Sequence, residues 1–173
     1  MNALFLDRDG VLNELRQNDY VKTPDDFVLL PNVVEALTLL RCHFDLLLVV
    51  TNQQGIGKGL MTEEDLAAVH RKLLALTANT IDRIYHCPQL ERCHSFNRKP
   101  NIGMALQARR DYPGLKLNKS VMVGDSLTDM LFGRRAGMTT VLIGNHSDAH
   151  LSQPHLVDLH FDSLLDYANY LQH

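Results

Sequence analysis

Short apolar runs alternate with longer amphipathic stretches from one end of the chain to the other, and few folds tolerate that pattern. Runs too short for helices, with no polar face, read as parallel strands buried between two helical layers. The predicted strands are residues 3–6, 46–50, 83–85, 120–123 and 140–143. Between them the periodicity predicts helices over 32–41, 62–78, 102–110 and 127–136, the first opening after Pro31 and the second behind a Thr62 cap. A last strand and helix, 157–161 and 164–171, would close one edge of the sheet. Residues 144–154 read as a mobile loop, and no repeat, low-complexity tract or linker interrupts the sequence. With 173 residues, 45% of them hydrophobic, the expectation is one α/β domain over 1–173, a parallel sheet flanked by helices.

Charge narrows the partners. A net charge of -3 argues against a protein that tracks nucleic acid, so no nucleic-acid partner is expected. A phosphorylated small molecule stays open, because a few local cations suffice for it. Three cysteines do not make a disulfide framework. The densest apolar run, 46–50, is too short to cross a bilayer, and the first residues meet charge at Asp7, unlike a signal peptide. The expectation is a cytoplasmic protein without membrane contact, a monomer or weak homo-oligomer.

The segments just beyond the strands carry the chemistry. Strand one runs into Asp7-Arg8-Asp9-Gly10, strand two into Thr51-Asn52-Gln53-Gln54-Gly55, and strand four into Gly124-Asp125-Ser126-Leu127-Thr128-Asp129. The carboxyl ends of parallel strands share one edge, so these loops should converge there. Asp7, Asp9 and Asp125 would form a hard, oxygen-rich pocket suited to Mg²⁺ and a substrate phosphate. Thr51 and Asn52 offer neutral donors to a phosphoryl oxygen. Lys99 supplies a point charge, and Arg98 a fork for a second anionic or hydroxylated part of the ligand. Each also has a plain structural reading: the aspartates as turn caps, Thr-Asn as an ordinary turn, Arg-Lys as an exposed basic pair.

Together, Phe5-Leu6-Asp7-Arg8-Asp9-Gly10-Val11-Leu12-Asn13, Val49-Val50-Thr51-Asn52-Gln53, Arg98-Lys99-Pro100 and Val123-Gly124-Asp125 with Asp129 resemble the four motifs of haloacid dehalogenase (HAD) superfamily phosphatases, in family order. The longer strings DRDGVLN, TNQQGIGKG and RKPNIGM resemble the branch that holds heptose bisphosphate and histidinol phosphate phosphatases. The resemblance implies a Rossmann-like three-layer core. It also implies Asp7 as nucleophile, Asp9 as general acid and base, and Thr51 and Lys99 as phosphoryl stabilisers. Mg²⁺ would be held by Asp7, Asp125 and the main-chain carbonyl of Asp9, with Asp129 behind them as an orienting group. Asn52, Gln53 and Arg98 are the expected substrate contacts, joined by Asp19 and Tyr20 from a loop that Asn13 would order. The segment 23–31 leans towards a heptose bisphosphate over histidinol phosphate as the small phosphorylated metabolite. A nucleic-acid 3′-end phosphatase and a non-catalytic binding protein are the remaining alternatives. Only about forty residues separate Asp9 from Thr51, so no cap domain is expected, and short loops must set specificity.

One part of the family pattern is broken. The branch carries a zinc loop before Arg-Lys-Pro, with Cys-x-His followed by Cys-x-Cys. Here Cys87 matches the first ligand, but Gln89, Ser95 and Asn97 stand at the other three positions. A structural zinc site needs its four ligands, so the expectation is a loop without zinc, held by packing and hydrogen bonds, with Cys87 and Cys93 as remnants. Strand alternation points Arg8 away from the metal, toward a structural salt bridge. His70, His146, His150, His155 and His160 read as ordinary surface or core histidines, Cys42 as a small buried side chain on the first helix, and Met104, Met122, Met130 and Met138 as core.

Overall fold

The computed structural model describes residues 1–144 and 153–173; most of the predicted 144–154 loop, with His146 and His150, lies outside the described residues. Six parallel strands form one sheet in the order β3-β2-β1-β4-β5-β6. They are β1 (Ala3–Leu6), β2 (Leu46–Asn52), β3 (Arg83–Cys87), β4 (Val121–Gly124), β5 (Thr139–Ile143) and β6 (Leu159–Phe161). The helices are α1 (Val33–Leu40), α2 (Gln54–Gly57), α3 (Glu63–Leu76), α4 (Gly103–Asp111), α5 (Leu127–Ala136) and α6 (Leu164–Tyr170).

All four residues of β1 are buried, because it sits mid-sheet with a helical layer on each face. Alternation along it divides the core. Leu4 and Leu6 join Leu47, Val49, Leu37, Leu73 and Tyr167 on one face, while Ala3 and Phe5 join Leu48, Val50, Met104, Met122 and Phe132 on the other. The expected core methionines are all buried. Leu6 pairs with Val49 on one side and Val123 on the other, so β1 and β4 end nearly level while β2 runs three residues further. Since β1 is followed by β2 on one side and borders β4 on the other, the crevice beyond it is the switch point where open α/β sheets bind ligands.

Several boundaries differ from the expectation. β2 runs through Asn52, so Thr51 and Asn52 belong to the strand and pair with His86 and Cys87. α1 starts at Val33 because Asn32 takes a left-handed φ of 62°. It ends at Leu40, leaving Cys42 exposed in the following turn rather than buried on a helix. Between Asp9 and α1 the chain folds back on itself. Asn13 bridges both Asp9 and Leu29, and Lys72 of α3 donates to the carbonyls of Pro24 and Phe27 at 2.6 and 3.1 Å.

α5 packs closest where it lacks a side chain. A Cβ on Gly133 would sit 2.7 Å from Thr140 Cγ2 and 2.9 Å from Met122 Cβ, the second of which cannot swing aside. Gly133→Ala is therefore expected to cost ~1–3 kcal/mol of stability by overpacking, read as a lower urea midpoint at unchanged slope.

Candidate active site

The strand ends enclose a cleft of about 290 Å³ lined by Asp7, Asp9, Thr51, Asn52, Gln53, Lys99, Asp125 and Asp129, with Arg16, Asp19 and Tyr20 on its rim. At its floor lies a buried charge cluster. Lys99 Nζ is 2.8 Å from Asp7 Oδ1 and 2.6 Å from Asp129 Oδ1, and its side chain is 2% exposed. Burial opposes the ammonium, but attraction and hydrogen bonds from Asp129 and Asp7 outweigh it and hold Lys99 charged, above the usual lysine value. Ser126 caps α5 and fixes the other oxygen of Asp129 at 2.6 Å, so Asp129 braces Lys99 from a helix N-terminus.

Two glycines let the carboxylates crowd together. A Cβ on Gly10, where φ is +87°, would fall 2.0 Å from Asp125 Oδ2, and one on Gly124 would fall 2.1 Å from Asp129 Cβ. Asp7, Asp125 and Asp129 each offer an oxygen within 4.8 Å of the others. Burial, with repulsion from Asp129, raises the Asp7 carboxyl well above its ordinary value against the pull of Lys99. The same causes raise Asp125 to about 7. Clustered, buried carboxylates that resist ionising beside a single lysine are a donor set that fits a hard divalent cation.

Asp9 occupies a different wall. Arg8 Nη2 donates to its two oxygens at 2.9 and 3.1 Å, Asn13 to Oδ1 at 2.9 Å, and Gln53 Nε2 to Oδ2 at 3.0 Å. Arg8 thus makes the expected salt bridge, but with its own neighbour inside the site. Gln53 also donates to Thr51 Oγ1 at 2.8 Å, leaving the Thr51 hydroxyl hydrogen for another acceptor. Asn52 lines the cleft, yet its amide holds the Lys99 backbone, donating to the carbonyl at 3.1 Å and accepting from N–H at 3.0 Å. Arg98 is not among the lining residues, and its Nη1 is buried without a hydrogen-bond partner. On the rim, Tyr20 accepts from Lys58 at 2.8 Å, and Arg16 engages Asp26 and Asp19.

The loop before Arg98 does not fit four-ligand zinc. Cys87 Sγ is 2.9 Å from Gln89 Oε1, Ser95 Oγ donates to the same oxygen at 3.4 Å, and Asn97 N–H donates to Ser95 Oγ at 3.3 Å. The four positions bond to one another in a neutral chain. Cys93 and His94 are exposed, and His86 contacts Glu63 at 2.8 Å.

A family model described as HAD-hydrolase-like matches residues 96–167. A D-glycero-alpha-D-manno-heptose-1,7-bisphosphate 7-phosphatase of Mycobacterium bovis is 37% identical over 171 residues, covering 96% of this chain and 89% of its own. The chain belongs to the heptose bisphosphate phosphatase branch of the HAD-like hydrolases. A second relative, from Vibrio cholerae and named for the beta anomer, is 35% identical over 182 residues, covering 98% of this chain and 95% of its own. The crystal structure of D,D-heptose 1.7-bisphosphate phosphatase from B. bronchiseptica, complexed with magnesium and phosphate, superposes with a TM-score of 0.88 at 31% identity, covering 99% of this chain and 98% of that one. As an HAD-like phosphatase, the chain presents its matched motifs at one sheet edge. Among the described residues no helix is long and apolar enough to cross a membrane.

The raised carboxyls give metal binding a pH signature. Asp125 is raised from 3.8 to about 7, so in the metal-free fold its contribution to stability is present at low pH and lost as pH rises through about 7. A cation entering below that pH must displace a proton. Mg²⁺ is therefore expected to raise the Tm of chelator-treated protein little at pH 5, progressively more towards pH 7, and evenly above pH 8. A Mg²⁺-induced shift that is flat with pH would contradict this.

Proposed function

We propose that the chain is a Mg²⁺-dependent phosphatase of D-glycero-D-manno-heptose 1,7-bisphosphate, acting through an aspartyl phosphate on Asp7. The observation that carries the reading is the joint one of relatives named for this substrate, 37% and 35% identical across nearly the whole chain, and a cleft in which every matched motif is intact.

Asp7 attacks phosphorus, forming its own P–O bond as the bond to the sugar oxygen breaks, which divides hydrolysis into two displacements. Asp9 gives a proton to the departing sugar oxygen, then takes one from the water that attacks the aspartyl phosphate and frees Asp7. Thr51 and Lys99 bind the phosphoryl oxygens. Lys99 is suited to this because two carboxylates keep it charged in a dry floor, so its field is not diluted by water. Asp7, Asp125 and the main-chain carbonyl of Asp9 would hold Mg²⁺. The ion would supply positive charge that keeps Asp7 ionised and offsets the phosphoryl charge. Asn52 holds the Lys99 backbone in register, and Asp129 orients its ammonium. Tyr20, Asp19 and Arg16 stand on the rim, where the sugar and its second phosphate would lie.

Asp7→Asn is expected to lose on the order of 10⁴-fold or more in kcat, with an unchanged circular dichroism spectrum; substantial residual turnover would remove Asp7 from the nucleophile role. Steady-state hydrolysis with Mg²⁺ should be run on both anomers of the heptose bisphosphate, histidinol phosphate and other sugar phosphates. A preference of at least ~100-fold in kcat/KM for a heptose bisphosphate is expected, an energy difference of roughly 2.7 kcal/mol. The same preference for histidinol phosphate would overturn the substrate assignment and leave the phosphatase chemistry intact.

A further inference from the structure

His70 on α3 belongs to no motif, yet it reaches the catalytic edge through one residue. Arg8 lies between the two motif aspartates with its side chain 1% exposed. Its Nη2 holds both oxygens of Asp9 at 2.9 and 3.1 Å, and its Nη1 lies 3.3 Å from His70 Nε2. A guanidinium carries donors only, so Nε2 must accept, and the ring proton must sit on Nδ1. The remaining nitrogen of the guanidinium, Nε, is buried without a partner. The side-chain contacts that fix this guanidinium are therefore Asp9 on one side and His70 on the other.

The surroundings keep His70 in the accepting form. Burial first, then the charges of Arg8 and His86, push its imidazole down to about 3 against a weaker opposite pull from Asp9. Its ring packs edge-on against His86 at 6.1 Å between centroids, and His86 is held by Glu63 at 2.8 Å. These contacts fix the ring plane from the far side, at a groove between α3 and β3. Asn13 and Gln53 each hold one oxygen of Asp9, whereas Arg8 holds both. The carboxylate plane is thus set jointly by the guanidinium and the two amides, and the guanidinium is the one charged anchor among them.

We propose that His70 is a positioning residue for the phosphatase reaction, accepting from Arg8 Nη1 and thereby fixing the guanidinium that aims Asp9 at the leaving sugar oxygen. This rests on the assignment of Asp9 as acid and base made above. Without the acceptor, Nη1 joins Nε as a second buried donor with no partner, and the guanidinium turns to recover a bond. Displacement of a reacting group by ~1 Å costs on the order of 100-fold in rate.

The test compares His70→Phe, which removes the acceptor, with His70→Gln, whose amide oxygen reaches about as far as Nε2. Single-turnover release of the leaving group is measured with Mg²⁺ on the heptose bisphosphate and on 4-nitrophenyl phosphate. The sugar alkoxide needs a proton to depart and the nitrophenolate does not, so a fault in aiming Asp9 falls on the first substrate alone. His70→Phe is expected to lose ~10–100-fold on the sugar ester, at half-saturation unchanged within about 2-fold, and less than about 3-fold on the aryl ester; His70→Gln should recover most of the loss. Equal losses on both esters, no loss on either, or no recovery with Gln would overturn the proposal. Asp9→Asn is run in parallel. Loss in Asp9→Asn with none in His70→Phe overturns the role of His70 alone, whereas no loss in either variant overturns the acid assignment and the role of His70 with it; wild-type activity on the aryl ester alone would fail the substrate assignment. Should His70→Phe not fold, ¹⁵N shifts of the wild-type imidazoles decide the matter. A neutral His70 protonated on Nδ1 at pH 7 is required, and an Nε2–H tautomer or an imidazolium would exclude the contact.

Discussion

Everything at the catalytic edge is arranged around one buried ammonium. An isolated charge at the Lys99 position would cost several kcal/mol in lost hydration. Asp7 and Asp129, at 2.8 and 2.6 Å, offset that cost only if both are held rigidly. The fold holds them by different means: Asp7 by the end of the central strand, where Arg8 N–H donates to it at 2.7 Å, and Asp129 by the capping box of α5. With three clustered carboxylates to one lysine, the floor turns anionic as Asp7 and Asp125, both raised by burial and repulsion, ionise. A pocket in that state repels a phosphate ester on its own. It becomes attractive to one when a divalent cation joins it, which ties phosphate recognition to metal occupancy without any moving part.

The sheet supplies the precision. Parallel pairing sets Leu6 against Val49, so Asp7 and Thr51, 44 positions apart, leave adjacent strands within one residue of level and with no long linker to order. Side-chain bulk is then the remaining obstacle, and Gly10 and Gly124 remove it where Asp125 and Asp129 press against the backbone. A methyl group at either place would overlap a carboxylate.

Alternation and strand-end chemistry in the sequence suffice to read the sheet, its layers and the convergence of Asp7, Thr51, Lys99 and Asp125. The features that escape such a reading depend on where long side chains bend. A period of two gives the direction of the Arg8 Cβ, but its guanidinium returns to Asp9 and reaches His70, 62 residues away. Asn52 reads locally as a donor for ligand, while its amide is used on the Lys99 backbone 47 residues on. Cys42 escapes because one unpredicted left-handed residue at Asn32 and an early stop at Leu40 shift the turn that carries it outward. The loop of Gln89, Ser95 and Asn97 shows in sequence which ligands are missing, and only the folded chain shows Cys87 and the Ser95 hydroxyl meeting on the Gln89 amide oxygen, with Asn97 N–H on that hydroxyl.

That loop bears on how specificity arises over an open cleft. Among the described residues no large lid is inserted, which favours discrimination by rim residues whose positions are fixed before substrate arrives, since ordering them on binding would cost affinity. The rim has such bracing. Tyr20 is held by Lys58 from the segment after β2, Arg16 by Asp19 and Asp26, and the segment behind them by Lys72 of α3. On the opposite side the Cys87–Gln89–Ser95 chain sets the path into Arg98 and Lys99, and Gly57 of α2 donates to the Pro88 carbonyl at 3.1 Å. The order of that path comes from contacts of one amide and one hydroxyl, which lock the segment against β3 before any ligand arrives.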